Sequence, residues 1–191
     1  MSLTMLSAPA VEPISVAEAK EHLRVDGTTE DTLISSLIMT SRLHIEAALS
    51  LALITQTWRQ TLDRWPKSGQ VHMPLRPLQA VSEIRVYDGN GGSAVVPSED
   101  YIVDIAGNPG RVVPKGVLWP TPGQKAAGIE IAFTAGYGDA ADDVPAPIRQ
   151  ALLLLIAHWF EHRDPVEIGT SGVAIPAAVS RLLKPYRLAR I

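Results

Sequence analysis

The chain has 191 residues, enough for one sizeable domain or for a domain that carries an inserted subdomain. Hydrophobic residues make up 46% of it and charged residues 19%, so it can bury a core and is not disordered throughout. The formal net charge of −3 gives no general basic field for nucleic acid, and the absence of cysteine excludes disulfides and cysteine nucleophiles. The longest apolar run, residues 151–157, is too short to span a membrane, and the first seven residues lack the pattern of a secretory signal.

Two helices are predicted in the first third of the chain. Ser15 and Glu18 have the spacing of a capping box, in which the serine oxygen accepts from one free backbone N–H and the glutamate reaches back to another. This pattern predicts a short helix over residues 16–23. Thr28 and Asp31 repeat the spacing and open a longer helix that ends near residue 49.

The apolar residues of the second helix recur at spacings of three and four, as on one face of an amphipathic helix. Arg42 and Glu46 fall largely off that stripe. The predicted stripe consists of Leu33, Leu37, Ile38, Ile45, Ala48 and Leu49.

The middle of the chain, residues 55–137, predicts a small antiparallel β subdomain. Its first segment alternates and is rich in threonine and tryptophan, as strands are. Asp88-Gly89 and Asn90-Gly91 lie between apolar runs and are typical of a hairpin turn. The predicted strands cover residues 55–63, 81–87, 101–105, 110–114 and 128–135.

Helix returns in the last third. Pro145 and Pro147 suit a first helical turn, and the apolar sequence over residues 148–163 predicts a helix that Asp164-Pro165 ends. Residues 166–175 contain two glycines and predict a flexible loop. Pro176 then opens a final helix over residues 177–183, which Pro185 ends.

These elements predict an α+β fold. The first and last segments each carry a helix too apolar to stand alone, so they should pack on each other as a helical bundle with the antiparallel β subdomain inserted between them. The predicted boundaries are residues 1–54 and 138–191 for the helical frame and 55–137 for the insertion. Within the second frame segment, a flexible loop (166–175) precedes a C-terminal arm (176–191).

The string His158-Trp-Phe-Glu-His162 matches H-x-x-E-H, in which two histidines one helical turn apart hold zinc and the glutamate moves a proton. No third ligand follows at a suitable place, because Asp164-Pro165 ends the helix before Glu167. Histidines near a helix C-terminus also gain from the helix dipole without any metal. The sequence therefore favours packing and charge at a helix end over a zinc site.

Two other groups of residues are typical of binding sites but have simpler interpretations. Asp139, Asp142 and Asp143 form an acidic cluster without the spacing of a calcium loop, and acidic residues before a helix are explained by capping. The four tryptophans suggest a stacking surface for sugars, but such residues more often anchor a core or an interface. They are Trp58, Trp65, Trp119 and Trp159. No catalytic residue, metal or cofactor is predicted.

The last segment is basic and apolar at once, with no acidic residue after Glu167. One interpretation is a solvated end whose cations lie favourably at a helix C-terminus. The other is an arm that docks on a neighbouring protein, because many apolar groups would otherwise face water. Its basic residues are Arg181, Lys184, Arg187 and Arg190, and its apolar ones are Leu182, Leu183, Tyr186, Leu188 and Ile191.

Eight short strings of residues, in order over nearly the whole chain, are shared with one protein family. They are PISVAEAKEHLRV at 13–25, ED and LI at 30–34, QTWRQ at 56–60, PLRPL at 74–78, GYG at 136–138, VPAPIRQA at 144–151 and LKPYR at 183–187. The sequence therefore resembles the head–tail connector (adaptor) proteins of tailed phages. The resemblance is strongest to the longer form with a β insertion, which also occurs in gene transfer agents.

The resemblance implies a structural protein, not an enzyme, that forms a cyclic ring of about twelve copies beneath the portal protein. The ring would extend the DNA channel and offer a surface to the next neck or tail-completion protein. DNA would pass without sequence-specific contact, which suits an acidic protein. The implied location is the head–tail neck of a virion or virion-like particle made in the bacterial cytoplasm, with no membrane contact.

In such proteins the helical bundle forms the ring wall and the C-terminal segment reaches the portal. The resemblance thus implies that residues 176–191 are a portal-docking arm and that residues 166–175 are its hinge. The arm residues assigned to docking are Arg181, Leu182, Leu183, Lys184, Tyr186, Arg187, Leu188 and Arg190.

Two other functions remain open from the sequence. One is a zinc-dependent hydrolase that uses the string at 158–162, and the other is a carbohydrate- or protein-binding module built on the β subdomain. The first explains only that string, and the second does not explain the helical frame.

Overall fold

A computed structural model describes residues 1–116, 118–162 and 175–188. Residues 163–165 at the end of the helix predicted over 148–163, residues 166–174 of the predicted hinge and residues 189–191 of the predicted arm lie outside the described residues. The chain forms two compact units. The β unit comprises Met1–Ala10 and Ser50–Tyr137, and the helical unit comprises Val11–Leu49 and Gly138–Ile191.

The β unit contains two antiparallel sheets. The larger has five strands in the order β1-β2-β8-β4-β5, and the smaller has three in the order β3-β7-β6. The strands are β1 (Ser2–Ser7), β2 (Gln56–Leu62), β3 (Val71–His72), β4 (Leu78–Tyr87), β5 (Ser93–Val95), β6 (Tyr101–Asp104), β7 (Arg111–Pro114) and β8 (Ile129–Ala135).

Strand β8 shows why this unit folds as it does. Ile129, Ile131 and Phe133 alternate with half-exposed residues and are completely buried, which is the pattern of a strand with one face on a core. β2 pairs with one edge of β8 and β4 with the other. Val71 and Val112 of the smaller sheet belong to the same buried cluster, so both sheets share one hydrophobic core.

The predicted hairpin turn joins β4 to β5. The backbone N–H of Asp88 donates to the carbonyl of Gly92 at 2.8 Å, which closes the loop. Inside it, Asp88 Oδ1 accepts from the N–H groups of Asn90 and Gly92 at 2.8 and 2.9 Å. This is the side-chain turn for which aspartate is favoured, and the hairpin prediction is confirmed.

All five predicted strands are present, whereas β1, β3 and β5 were not predicted. β3 and β5 have two and three residues, too few for a periodic pattern. β1 becomes a strand by pairing with β2, with Leu3 opposite Gln60 and Met5 opposite Trp58. The first ten residues therefore lie in the β unit, whereas the sequence analysis grouped them with the helical frame.

The helical unit packs helices from both ends of the chain on one another, and the predicted α+β class is confirmed. α2 and α4 pack on α3, and α1 packs on both α2 and α3. The helices are α1 (Val16–Leu23), α2 (Asp31–Leu49), α3 (Ala146–Glu161) and α4 (Ala177–Leu183). None of the helices in the described ranges is long and apolar enough to cross a membrane.

The start of α1 is set by Ser15, as predicted. Its Oγ accepts from the backbone N–H of Glu18 at 3.1 Å, which satisfies one of the free donors of the first turn. The other contact of the predicted capping box, in which the Glu18 side chain reaches back to a backbone N–H, is replaced. Both oxygens of the Glu18 carboxylate instead accept from Arg149 Nη2 at 2.9 Å. The guanidinium thus ties the start of α1 to α3.

The predicted apolar stripe of α2 is wrong in part. Ala48 is exposed, and Leu33 and Leu37 are only half-buried. Each precedes a buried residue by one position, which places its side chain about 100° around the helix axis from the buried face. Arg42 and Glu46 were placed off the stripe but are buried in it. The buried residues of α2 are Ile34, Ile38, Ser41, Arg42, Ile45, Glu46 and Leu49.

Candidate assembly surfaces

The described part of the C-terminal segment, residues 175–188, is attached to the helical unit by its apolar side. Val179 and Leu183 are buried and α4 packs on α3, while Leu182 and Tyr186 are half-buried. The chain then tightens into a short 3₁₀ turn over Lys184–Tyr186. Leu183 therefore supports the fold and presents little surface to a partner.

The basic residues of this segment point to solvent. Arg181, Lys184 and Arg187 are exposed and three residues apart, and Leu188 beyond them is 40% exposed. Within residues 175–188 and the other described ranges, no carboxylate forms an ion pair with any of the three cations. Among the described residues, these cations have no acidic partner and lie beside an exposed apolar side chain. Arg190 lies outside the described residues.

The H-x-x-E-H string lies at the end of α3. The ring centroids of His158 and His162 are 4.7 Å apart, but His162 has left the helix, with φ −110° and ψ 68°. Its Nδ1 lies 2.8 Å from the backbone oxygen of His158, a contact that caps the helix end. In the ranges that the structure covers, no three histidine or acidic side chains cluster closely enough to hold a metal.

The acidic cluster before α3 is used for capping and ion pairing. Asp143 Oδ2 accepts from the backbone N–H of Ala140 at 2.9 Å, and Asp142 Oδ1 accepts from Arg149 Nη1 at 2.7 Å. Asp139 is exposed. The carboxylates of Asp142 and Asp143 therefore have partners within the protein, as the simpler interpretation expected.

Two of the tryptophans stack on each other inside the β unit. The rings of Trp65 and Trp119 are 4.3 Å apart and nearly parallel, at 11°. Their indole N–H groups donate to the carbonyls of Pro120 and Gly69 at 2.8 and 2.7 Å. Buried Trp119 and half-buried Trp65 thus hold two long loops together, which is the anchoring role expected of tryptophan.

The outer face of the large sheet is charged but balanced. Arg59 pairs with Glu130 at 3.5 Å, and Arg85 pairs with Glu83 at 2.9 Å. Tyr87 donates to the second oxygen of Glu130 at 2.9 Å. That hydrogen bond, with some burial and the negative charge of Glu130, raises the pKa of Tyr87 above its usual value. Two cations facing two anions give no basic surface for DNA.

A model of the head completion protein family matches residues 12–189. The chain belongs to the head completion protein family. This match spans both units and nearly the whole sequence, so the resemblance to head–tail connector proteins is confirmed.

Three solved structures are similar to this head completion protein over its entire length. One is described as the neck of an empty gene transfer agent (GTA) particle computed with C6 symmetry, with 26% identity and a TM-score of 0.83. Another is the neck of a native GTA particle computed with C12 symmetry, with 27% identity and a TM-score of 0.81. The third is the virion of a native gene transfer agent particle, with 26% identity and a TM-score of 0.81. Each match covers 100% of this chain and 97% of the other. Among curated proteins, none matches the chain.

The head completion protein also contains a charge cluster that sequence reasoning missed. Arg42 donates to Glu12 at 2.7 and 3.1 Å and to Glu46 at 2.9 Å. Burial by itself lowers the pKa of Arg42, but the hydrogen bonds and negative charges of Glu12 and Glu46 outweigh it and leave that pKa raised. The only signal in the sequence was the i, i+4 spacing of Arg42 and Glu46, which is also common on solvent faces.

Proposed function

We propose that this chain is a structural head–tail connector in the neck of a phage or gene transfer agent particle. The observation that carries the proposal is the similarity to chains in GTA necks, which extends over the whole of this chain with a TM-score of up to 0.83. Membership of the head completion protein family points to the same role. In this proposal the chain is not an enzyme and uses no cofactor. Of the string that suggested zinc, His162 instead caps the end of α3 through its contact with the backbone oxygen of His158.

In the particle, copies of the chain form a cyclic ring. The symmetry used for the similar necks, C6 in one and C12 in another, supports a ring of about twelve copies. The ring lies between the portal protein and the next neck or tail protein and surrounds the DNA. The net charge of −3 and the balanced charges on the sheet suit a wall past which DNA slides without binding.

The C-terminal segment is the portal-docking arm in this proposal. Its exposed cations, Arg181, Lys184 and Arg187, have no acidic partner in the described ranges, and Leu188 adds an exposed apolar group. Arg190 extends the same charge pattern along the sequence. Leu182 and Tyr186 contribute their remaining exposed surface, whereas Leu183 fixes the arm to the helical unit.

A producing bacterial strain allows the function and the arm to be tested together. Deleting the gene should leave heads and tails unjoined, as seen by electron microscopy. Ending the chain after Leu183 should also leave heads and tails unjoined. The truncated protein keeps the buried residues Val179 and Leu183, so it should unfold at nearly the wild-type temperature. Joined particles from the deletion strain would contradict the connector role.

A charge-reversal set separates the arm from general effects of charge. Arg181→Glu, Lys184→Glu and Arg187→Glu together should prevent attachment to portal-bearing heads. Lys67→Glu with Lys115→Glu, two exposed sites in the β unit, should not. Normal attachment of both the truncated and the charge-reversed chain would rule out the arm while leaving the connector role standing.

A further inference from the structure

Helix α2 buries two charged residues of its middle part and exposes two of its large apolar residues. Arg42 and Glu46, the charged residues in the body of the helix, have side chains only 6% and 10% exposed. Met39 and Leu43, one turn apart, are 48% and 46% exposed. A solvent-facing helix of a monomer normally has the reverse arrangement, because burying charge costs desolvation and exposing apolar surface loses hydrophobic free energy.

The whole exposed face of α2 lacks lysine, arginine, aspartate and glutamate. About a quarter of the residues in an average protein are charged, so a face of this length without any is unusual. Nearby elements of the same unit do expose charges, for example Glu21 and Arg24 at the end of α1. The exposed residues of α2 are Thr32, Ser35, Ser36, Met39, Thr40, Leu43, His44, Ala47 and Ala48.

The chemistry of this face restricts what can cover it. With no lysine or arginine it lacks the cations that give DNA-binding surfaces most of their affinity, and with no acidic residue it does not complement a basic protein surface. Two projecting apolar side chains among serine, threonine and alanine suit close packing against an uncharged, partly apolar surface, because small neighbours let the backbones approach.

We propose that the exposed face of α2, centred on Met39 and Leu43, is the lateral contact between neighbouring copies of this chain. The inference rests on the proposed ring, in which every copy has another copy on each side. In a cyclic ring the contact is heterologous, so this face meets a different surface of its neighbour. Cores of such homo-oligomeric interfaces are poor in charged residues, as this face is, and Met39 and Leu43 supply apolar side chains at its centre.

The first test places charge on the face in the full-length chain, expressed in a strain whose own copy is deleted. Met39→Glu with Leu43→Glu should reduce the amount of the chain in purified particles by about ten-fold or more. A ten-fold change corresponds to a loss of about 1.4 kcal/mol in the free energy of association at each contact. Ala17→Glu with His22→Glu adds two glutamates to exposed sites of α1 and should leave incorporation unchanged. Undiminished incorporation of the Met39/Leu43 variant would overturn the proposal.

The second test identifies the neighbour without disturbing the contact. Because the chain has no cysteine, Thr40→Cys gives a single site for a short benzophenone label on this face. Irradiation of particles that carry the labelled chain should give a chain-to-chain product by mass spectrometry, and Ala17→Cys should give none. The proposal would be overturned if the labelled Thr40→Cys chain gave no crosslinked product, or gave a product only with a different protein. This outcome counts even if the Met39/Leu43 glutamate variant fails to fold.

The connector role and the lateral contact are contradicted by different results. If the wild-type chain is absent from particle necks, the connector role itself is wrong. If wild-type chain is present in the neck and the α2 tests give the contrary results, only the lateral contact is wrong.

Discussion

At the scale of single residues, Gly136 illustrates a constraint that depends on distant parts of the chain. Its φ of +145° lies in a region that residues with a side chain rarely adopt. A Cβ at this position would lie 2.6 Å from the backbone nitrogen of Thr55 and 2.7 Å from the carbonyl carbon of Ile54. Glycine is required here both by the conformation and by the closeness of another backbone segment.

Gly136→Ala should lower the free energy of unfolding by about 2 kcal/mol or more, because it combines backbone strain with overpacking. Gly91→Ala is the matched control, since Gly91 also has a positive φ (86°) but has open space around it. It should cost about 1 kcal/mol. Chemical denaturation followed by tryptophan fluorescence measures the free energy of unfolding of both variants, because Trp58, Trp65 and Trp119 lie in the β unit. Equal losses would show that the close approach is not important.

Gly136 and Gly138 are typical of a turn, but the sequence around them does not indicate the close approach of Thr55. The turn was visible because Gly136 and Gly138 lie together between a strand and a helix. The approach of Thr55 was not visible, because it follows from a contact between residues far apart in sequence.

At the scale of elements, helix boundaries set by local contacts were predicted well. Ser15 starts α1 through a hydrogen bond to a residue three positions away, and α4 has its predicted bounds, Ala177–Leu183. The inward face of α2 was predicted only in part. Arg42 lies on that face because Glu12, thirty residues earlier in the chain, reaches it.

Arg42→Ala should destabilise the helical unit by about 3 kcal/mol, because it removes the cation from between two carboxylates, one of them buried. The double variant Arg42→Leu with Glu46→Leu should lose much less, since replacing a buried ion pair by apolar side chains is often close to neutral. Urea unfolding followed by circular dichroism gives the two free energies. A double variant no more stable than the single one would contradict this account of the cluster.

At the scale of the whole molecule, the family and the similar neck structures indicate a head–tail connector role, which depends on surfaces that meet other subunits. The strings that suggested chemistry are used within the protein: His162 caps α3, and Asp142 and Asp143 pair or cap near its start. We propose the exposed cations of the C-terminal segment and the uncharged face of α2 as the surfaces that meet partners.

Purified protein incubated with zinc and then dialysed should retain much less than one zinc per chain, because two histidines alone do not complete a zinc site. His158→Ala and the control His72→Ala, an exposed histidine in β3, should bind equally little and unfold at similar temperatures. Elemental analysis and thermal unfolding provide the measurements. One zinc per chain, lost together with a hydrolytic activity in His158→Ala, would establish an enzyme instead.

The sequence by itself determined the α+β class, the positions of the four helices and of five strands in the described part of the chain, and the likeness to connector proteins. These depend on periodicity, caps, turns and short strings, which are local properties of the chain. Only the tertiary structure decided that the first ten residues join the sheet, that Arg42 and Glu46 face inward, and that Met39 and Leu43 face outward. Each of these depends on contacts between residues distant in sequence, and the free energy of such contacts outweighs local preference.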